Sequence, residues 1–320
     1  MTAKIIATGS YVPDNAVSND YLSTLVETSD EWISSRTGIH NRYITTSEGT
    51  ATLATKAARN ALASGNIEVE SIDYIIVATM SGDCSLPNTA CEVQRELQAY
   101  GAACFDISVA CSGFVYALEV AKALLITSAK KRALVIGAET LSRMIDWTDR
   151  STCVLFGDGA GAVVLDKAEE GIIHSILGSD GSKSEAIICD TKPITNPFTQ
   201  MESKYPFMKM DGQEVFKFAV KTVTDSIETL LREAGVTKEE VKGYYLHQAN
   251  KRILESIAKR MKVDISQFAM NLQTYSNTSA ASIPILLDEE NKKGNLHDGD
   301  LIVLSGFGGG LTWGSILMKW

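Results

Sequence analysis

The sequence has few of the residues that build metal centres or disulfide frameworks. It contains six cysteines and four histidines among 320 residues. The cysteines show no CxxC spacing, and the histidines form no HxxxH or HExxH motif, so no zinc site of a familiar type is indicated. We therefore expect reduced thiols, as in a cytoplasmic protein, and no bound metal.

The chain also lacks an excess of basic residues and any long hydrophobic run. Its 30 lysines and arginines are outnumbered by 39 aspartates and glutamates, which gives a net charge of -9. This charge argues against general nucleic-acid binding, because the phosphate backbone is repelled. No apolar run approaches bilayer length, and Met1–Pro13 has too short an apolar stretch for a secretory signal. We expect a cytoplasmic protein that binds neither nucleic acid nor membrane and meets anionic partners through a local basic patch.

Composition and periodicity indicate a globular α/β protein. Hydrophobic residues make up 45% of the chain and charged residues 22%, values typical of a protein with a proper core. Short apolar runs of strand type alternate with segments of helical period. This alternation predicts largely parallel sheets with helical crossovers.

Two parts of the chain resemble each other. Leu62–Val77 is similar to Leu231–Leu246, and a second pair of strand-like segments repeats at nearly the same separation. Nearly constant separations indicate a duplicated chain. We divide it into an N-terminal half, residues 1–170, and a C-terminal half, residues 171–320.

Cys111 lies where a predicted strand, Ala102–Ser108, turns into a predicted helix that begins near Phe114. The first amides of a helix lack internal acceptors and carry partial positive charge, so a sulfur held there is stabilised as thiolate. Cys111 is therefore a candidate nucleophile. It equally fits a small buried core residue, because cysteines rank among the most buried residues.

The second half supplies two polar positions at predicted strand ends, His247 and Asn277. In α/β folds ligands gather at the C-terminal ends of parallel strands, so both are predicted to converge with Cys111. Each alone also fits a structural role. The glycine-rich Ser305–Gly314 offers unobstructed backbone amides for an oxyanion hole, although tight packing gives the same pattern.

Trp32 and Arg36 are spaced i, i+4 on a short helix predicted within Thr28–Ile39. An indole beside a guanidinium suits a flat, phosphate-bearing group such as an adenine nucleotide. A surface aromatic packed on an arginine stem explains the pair equally well.

Taken together, the motifs resemble the β-ketoacyl-acyl carrier protein synthase III family. In family order they are DEWISSRTGI from Asp30, ACSGF around Cys111, FGDGAG from Phe156, HQAN from His247, NTSAAS from Asn277 and GFGGGLTWG from Gly306. The resemblance implies the thiolase fold, with two pseudo-duplicated α-β-α layered halves, five-stranded mostly parallel sheets and a homodimer. It also implies the condensation of an acyl-CoA primer with malonyl-acyl carrier protein, which initiates fatty acid synthesis through a thioester on Cys111.

The resemblance further implies roles for single residues. Cys111 is the nucleophile, His247 and Asn277 donate to the malonyl carbonyl oxygen, and the amides of Cys111 and Gly309 form the acyl oxyanion hole. The implied coenzyme A contacts are Thr28, Trp32, Arg36, Arg150, Gly212, Phe216 and Asn250. The implied carrier-protein surface comprises Lys217, Gln248, Arg252, Lys259 and Arg260. No bound cofactor or metal is implied, because acyl-CoA is a substrate and the phosphopantetheine is carried on the acyl carrier protein.

Two positions depart from the family pattern. Ser276 stands before Asn277 where many members have glycine, which questions the backbone conformation there. Leu86 occupies the place of a phenylalanine that in some members lines the partner subunit's acyl pocket. The shorter side chain predicts room for branched or longer primers.

Three other functions fit parts of the pattern. A type III polyketide synthase also uses Cys, His and Asn, but typically carries GFGPG where this chain has GFGGG. A Cys-His-Asn hydrolase such as a thioesterase fits the bare triad. A non-catalytic acyl-CoA-binding protein is the third possibility.

Overall fold

The computed structural model describes all 320 residues. Its strands are β1 (Thr2–Tyr11), β2 (Ala16–Ser18), β3 (Asn41–Tyr43), β4 (Tyr74–Ala78), β5 (Ala103–Ile107), β6 (Arg132–Thr140), β7 (Asp158–Ala168), β8 (Ile172–Ser179), β9 (Ile187–Ile188), β10 (Thr195–Asn196), β11 (Thr199–Gln200), β12 (Lys209–Met210), β13 (Gly243–Leu246), β14 (Leu301–Gly308) and β15 (Thr312–Lys319). Its helices are α1 (Asn19–Leu22), α2 (Asp30–Thr37), α3 (Thr50–Ser64), α4 (Thr89–Leu97), α5 (Gly113–Thr127), α6 (Gly212–Ala234), α7 (Lys251–Met261), α8 (Leu272–Tyr275) and α9 (Ser282–Lys292).

The first half forms a five-stranded sheet in the order β1-β7-β6-β4-β5. Strand β4 is parallel to β5 and β6, whereas β7 is antiparallel to both β1 and β6. Helices α4 and α5 supply the crossovers that parallel neighbours require, but no α-helix separates β6 from β7. Strands β1, β4, β5 and β6 therefore run in one direction and only β7 runs against them, so the expectation of a mostly parallel five-stranded sheet is confirmed for this half.

The second sheet has four strands rather than the predicted five, in the order β13-β14-β15-β8. Neighbours β13 and β14 are parallel, whereas β15 is antiparallel to both β14 and β8, so three of the four strands run in one direction. The expected fifth strand is reduced to a single parallel bridge between Tyr244 and Phe268. With Phe268 included, the strand order repeats that of the first sheet, which supports the division near residue 170. That division stays a prediction.

Helices and sheets stack in five layers. Helix α5 contacts β4 and β6 on one side and β14 and β15 on the other, and α9 contacts β1, β7 and β13. Both helices therefore lie between the sheets, where their apolar residues join one central core. Helices α3 and α4 cover the outer face of the first sheet, and α6 covers that of the second.

One segment corrects the expectation about hydrophobic runs. By length and composition Ala110–Thr127 is apolar enough to cross a membrane, with a mean hydropathy of 1.5. Half of this window is buried inside the fold, and Phe114, Leu118 and Leu125 are fully buried in the central core. Packing between two sheets accounts for this composition, because such a helix is apolar on opposite faces.

Candidate active site

A cavity of about 920 Å³ brings Cys111, His247 and Asn277 together. Cys111 follows β5, His247 follows β13, and Asn277 lies between α8 and α9. Cys111 comes from the N-terminal half of the chain, and His247 and Asn277 come from the C-terminal half. The predicted convergence is therefore confirmed, and the cavity lies between the halves.

Cys111 sits in a single 3-10 turn, Ala110–Ser112, that leads directly into α5. Ala110 holds a left-handed backbone with φ of 44°, a conformation that is uncommon outside glycine. Strand β14 passes very close to this turn. A Cβ atom placed on Gly308 would lie 2.9 Å from the Cys111 backbone nitrogen, so only glycine lets the strand approach.

Burial at this position favours a neutral Cys111 thiol over the expected thiolate. The pKa of the Cys111 thiol is raised to about 12, chiefly by burial and also by the charge of Glu139, against a lowering by the Ser279 hydroxyl. The helix end is outweighed because the sulfur is removed from water, and desolvation disfavours the charged form. The site therefore holds a neutral thiol, which must lose its proton as it attacks.

We expect the alkylation of Cys111 by iodoacetamide to keep rising with pH. The thiolate is the reactive form, so the rate should increase about tenfold per pH unit from pH 7 to 9.5 without a plateau. Mass spectrometry of the Cys111 peptide measures this rate, and the exposed Cys84 serves as reference in the same sample. A plateau below pH 8 would show a resting thiolate instead.

His247 is buried and makes one side-chain hydrogen bond to protein. Its Nδ1 lies 2.7 Å from the Ser282 Oγ, and its ring meets Phe307 edge to face with centroids 5.1 Å apart. Burial lowers the pKa of His247 to about 3. The imidazole is therefore neutral at physiological pH and carries one N–H.

Both backbone polar groups of Asn277 are hydrogen-bonded. Its backbone N–H donates to the Leu155 carbonyl and its carbonyl accepts from the Gly157 N–H, each at 3.0 Å. Its side-chain Oδ1 accepts the Ser279 N–H at 2.8 Å. Because the oxygen is occupied inside the loop, the two donor hydrogens of Nδ2 remain for the cavity.

The Ser276 departure leaves the backbone conformation intact. Ser276 is buried and has φ of 59° and ψ of -158°, a region occupied almost only by glycine. The serine therefore bears strain of about 1–3 kcal/mol in place of the glycine seen in many family members. The positive φ that would favour glycine before Asn277 is present in this chain although the residue is serine.

Gly309 lines the cavity just beyond the end of β14. Its N–H donates to no acceptor in the protein. An unpaired amide facing a cavity is available to an anionic oxygen. This placement fits the predicted oxyanion hole.

A carboxylate that the sequence did not single out lies beneath the site. Glu139, at the end of β6, is fully buried, and one oxygen accepts from Thr79 Oγ1, Ser81 Oγ and the Met80 N–H. Its other oxygen has no partner. Burial raises the pKa of Glu139 to about 7. Only the tertiary structure identifies this group, because its strand reads as an ordinary apolar run.

The predicted nucleotide platform is assembled outside the cavity. The guanidinium carbons of Arg36 and Arg150 lie 4.7 and 5.0 Å from the centre of the Trp32 ring. Arg150 comes from a distant loop and donates to the Glu27 carbonyl at 2.8 Å. The structure thus places Arg150, another predicted coenzyme A contact, against the pair Trp32 and Arg36 that the sequence predicted.

The remaining predicted coenzyme A contacts divide between the cavity and its surroundings. Gly212, Phe216 and Asn250 line the cavity. Asn250 also donates to the Arg36 carbonyl at 3.2 Å and so ties α2 to the start of α7. Thr28 lies outside the cavity lining, and its hydroxyl is buried without a partner.

One residue of the predicted carrier-protein surface is misplaced. Lys217, Arg252, Lys259 and Arg260 are exposed on α6 and α7. Gln248 is fully buried, and its side chain bonds the Leu246 and Ala269 carbonyls and the Asn271 N–H. Its assignment to the surface is wrong, because its amide completes the loop after β13 and cannot reach a partner.

Sequence reasoning missed most of the cavity wall. Apolar side chains from both halves form it, among them Met80, Met144, Phe156, Ile187, Met208 and Met210. Leu86, the predicted acyl-pocket residue, is 88% exposed and does not line this cavity. No three His, Cys, Asp or Glu side chains cluster as metal ligands.

Comparison with known proteins agrees with this geometry. Two models of 3-oxoacyl-[acyl-carrier-protein] synthase III match the chain, one over residues 105–181 and the C-terminal one over residues 231–320. A β-ketoacyl-[acyl-carrier-protein] synthase III of Clostridium botulinum strain Okra is 50% identical over 99% of this chain and 98% of its own length. That of Clostridium acetobutylicum is 49% identical over 100% of this chain and 99% of its own length.

A solved structure gives the same result for the fold. The crystal structure of 3-oxoacyl-[acyl-carrier-protein] synthase III from Aquifex aeolicus superposes with a TM-score of 0.93 at 45% identity, covering 99% of this chain and 100% of the other. The predicted thiolase fold is thereby confirmed. On sequence, architecture and site geometry together, the chain belongs to the β-ketoacyl-[acyl-carrier-protein] synthase III family.

Proposed function

We propose that the chain condenses an acyl-CoA primer with malonyl-acyl carrier protein and carries the acyl group on Cys111. The observation that supports this most is the single cavity in which Cys111, His247, Asn277 and the free Gly309 amide meet. A nucleophile opposite several N–H donors suits two steps that each build negative charge on a thioester oxygen. The products are 3-oxoacyl-acyl carrier protein, CO2 and coenzyme A.

In the first step the Cys111 sulfur attacks the acyl carbonyl and the bond from that carbon to the coenzyme A sulfur breaks. The proton lost by Cys111 ends on the coenzyme A thiol. The Cys111 and Gly309 amides hold the oxyanion. No bound cofactor takes part.

In the second step malonyl-acyl carrier protein loses CO2, and the electron pair moves into a thioester enolate. His247 and Asn277 donate to the enolate oxygen. The enolate carbon attacks the acyl carbon, the bond to Cys111 breaks, and the sulfur regains a proton from solvent.

Intact-protein mass spectrometry after incubation with acyl-CoA tests the proposal. Wild type should gain one acyl mass, and Cys111→Ser should lose that adduct. Added malonyl-acyl carrier protein should then release 3-oxoacyl product rather than free acid, which distinguishes condensation from thioesterase activity. A chain that forms no Cys111-dependent adduct with any primer would refute the mechanism.

We expect Trp32→Ala to raise the KM for acetyl-CoA about five- to tenfold with kcat nearly unchanged. Trp32 stacks with two guanidiniums, and loss of such a platform costs about 1 kcal/mol or more in binding. Acetyl-pantetheine, which has no nucleotide, is the matched control substrate. An equal rise in KM for both substrates would contradict a nucleotide role for Trp32.

The exposed cations Lys217, Arg252, Lys259 and Arg260 form the proposed carrier-protein surface. They give an acidic chain a local positive patch, which steers an acidic partner. Arg252 also donates to the Ser35 carbonyl at 2.9 Å, so the patch adjoins the nucleotide platform on α2. A carrier docked here reaches the same cavity mouth as coenzyme A.

The proposed assembly is a cytoplasmic homodimer. Leu86 and Phe198 are 88% and 94% exposed in the single subunit. Large apolar side chains that are this exposed favour burial against another protein surface. In the dimer Leu86 would approach the partner subunit's acyl pocket.

We expect Leu86 to influence which acyl-CoA primer the protein prefers. With a leucine in place of phenylalanine, we expect isobutyryl-CoA to be used better than acetyl-CoA, because the pocket has more room. Condensation assays with both primers measure this, and Leu86→Phe should shift preference towards acetyl-CoA. Equal or poorer use of isobutyryl-CoA by wild type would count against the hypothesis.

A further inference from the structure

The buried partner of His247 has no role in the mechanism above. Ser282 is the first residue of α9, and both Ser282 and His247 are almost fully buried. Their 2.7 Å hydrogen bond joins Oγ to Nδ1, the ring nitrogen turned away from the free donor position. The bond by itself does not say which atom carries the proton.

A second contact assigns the direction. The Gln248 backbone N–H donates to the same Ser282 Oγ at 3.4 Å, and a backbone amide can only donate. The serine hydrogen has one acceptor within reach, the His247 Nδ1, since Ser282 Oγ has no other partner. The opposite arrangement would leave a buried hydroxyl hydrogen without an acceptor, which is costly.

The ring is fixed in orientation as well as in protonation. Phe307 packs edge to face against the imidazole, and Ser282 holds the inner nitrogen. The outer nitrogen, Nε2, has no hydrogen-bond partner in the protein and belongs to a residue that lines the cavity. A single proton on Nε2 would make it a donor aimed where charge develops.

We infer that Ser282 is a positioning residue that holds His247 as the Nε2–H tautomer, ready to donate to the enolate oxygen. The inference rests on the proposed function. It parallels the treatment of Asn277, whose Oδ1 is occupied by the Ser279 N–H so that Nδ2 is left for the cavity. Both donors of the decarboxylation site are thus oriented by serines that do not touch substrate.

NMR of protein labelled with 15N-histidine tests the tautomer directly. The chain has four histidines, and His247→Asn identifies the His247 signals by their loss. Wild type should show a protonated Nε2 and a bare Nδ1. A protonated Nδ1 in wild type would overturn the inference, and this readout needs no active enzyme.

Kinetics test the consequence. Ser282→Ala should slow decarboxylation of malonyl-acyl carrier protein and condensation by about 10- to 100-fold while Cys111 acylation stays within about twofold. Ser282→Thr keeps the hydroxyl and should restore most of the rate. Unchanged decarboxylation in Ser282→Ala with an unchanged tautomer would also overturn the inference. If Ser282→Ala does not fold, the wild-type spectrum decides alone. Failure of the proposed function itself appears separately, as a wild type without a Cys111 adduct.

Discussion

Gly308→Ala is expected to slow the acylation of Cys111 by about 100-fold or more. The new Cβ would lie 2.9 Å from both the Cys111 nitrogen and Cβ and 3.3 Å from its sulfur. Contacts this short force the turn or the strand to shift, and overpacking of this kind costs about 1–3 kcal/mol in stability. A nucleophile displaced from its donors by a fraction of an ångström loses about 100-fold in rate or more.

The same experiment has a matched control. Gly181 is exposed, and an added Cβ would meet no atom within 4 Å. Gly181→Ala should therefore acylate at the wild-type rate, measured by mass spectrometry with a short-chain acyl-CoA. Near-normal acylation of Gly308→Ala would show that β14 and the Cys111 turn tolerate separation.

The second large effect concerns stability and pH. Burial raises the pKa of Glu139 from 4.5 to about 7 in the folded protein. Below pH 4.5 both the folded and the unfolded chain hold the proton. Between pH 4.5 and 7 the unfolded chain loses the Glu139 proton first. The contribution of Glu139 to the free energy of unfolding therefore falls as pH rises, by about 3 kcal/mol at pH 8.

Glu139→Gln removes this dependence, because the amide resembles the protonated acid and cannot ionise. The free energy of unfolding of Glu139→Gln relative to wild type should therefore increase by about 3 kcal/mol from pH 4.5 to pH 8. Urea denaturation at several pH values measures it. The variant is compared with wild type because His247 acts in both proteins. The pKa of His247 is lowered to about 3, so below pH 6.5 it makes the free energy of unfolding of both proteins rise with pH.

Glu70→Gln provides the control for this prediction. Glu70 is exposed in the short turn Val69–Ser71 that precedes β4. Its replacement should leave the pH dependence of stability unchanged. A flat difference between Glu139→Gln and wild type would mean that Glu139 is already ionised or hydrated in the folded state.

Both predictions concern residues, Gly308 and Glu139, whose roles the sequence pattern does not resolve. The glycine-rich Ser305–Gly314 fits both an oxyanion hole and tight packing. In the structure Gly308 packs on Cys111, and the Gly309 N–H has no acceptor in the protein. Glu139 follows an apolar run, Ala133–Ala138, within its strand. Its effect depends on three donors from the loop after β4, which no local signal connects to it.

Sequence alone determined the local elements and singled out three residues that meet in the cavity, Cys111, His247 and Asn277. Asn88 caps α4 through a local contact, accepting the Cys91 N–H at 2.8 Å. Cys111 lies at a strand-to-helix junction and His247 follows a strand, as expected. Caps, periodicity and motifs are properties of a few neighbouring residues, so they can be read without the fold.

Only the tertiary structure decided the charge states and the supporting contacts. It replaced a thiolate with a buried thiol at Cys111, moved Gln248 from the surface into the interior, and placed Ser282 behind His247. It also identified the one strand in each sheet, β7 and β15, that runs against the others. The physical reason is the same in each case, because burial, desolvation and strand direction depend on residues far apart in the chain.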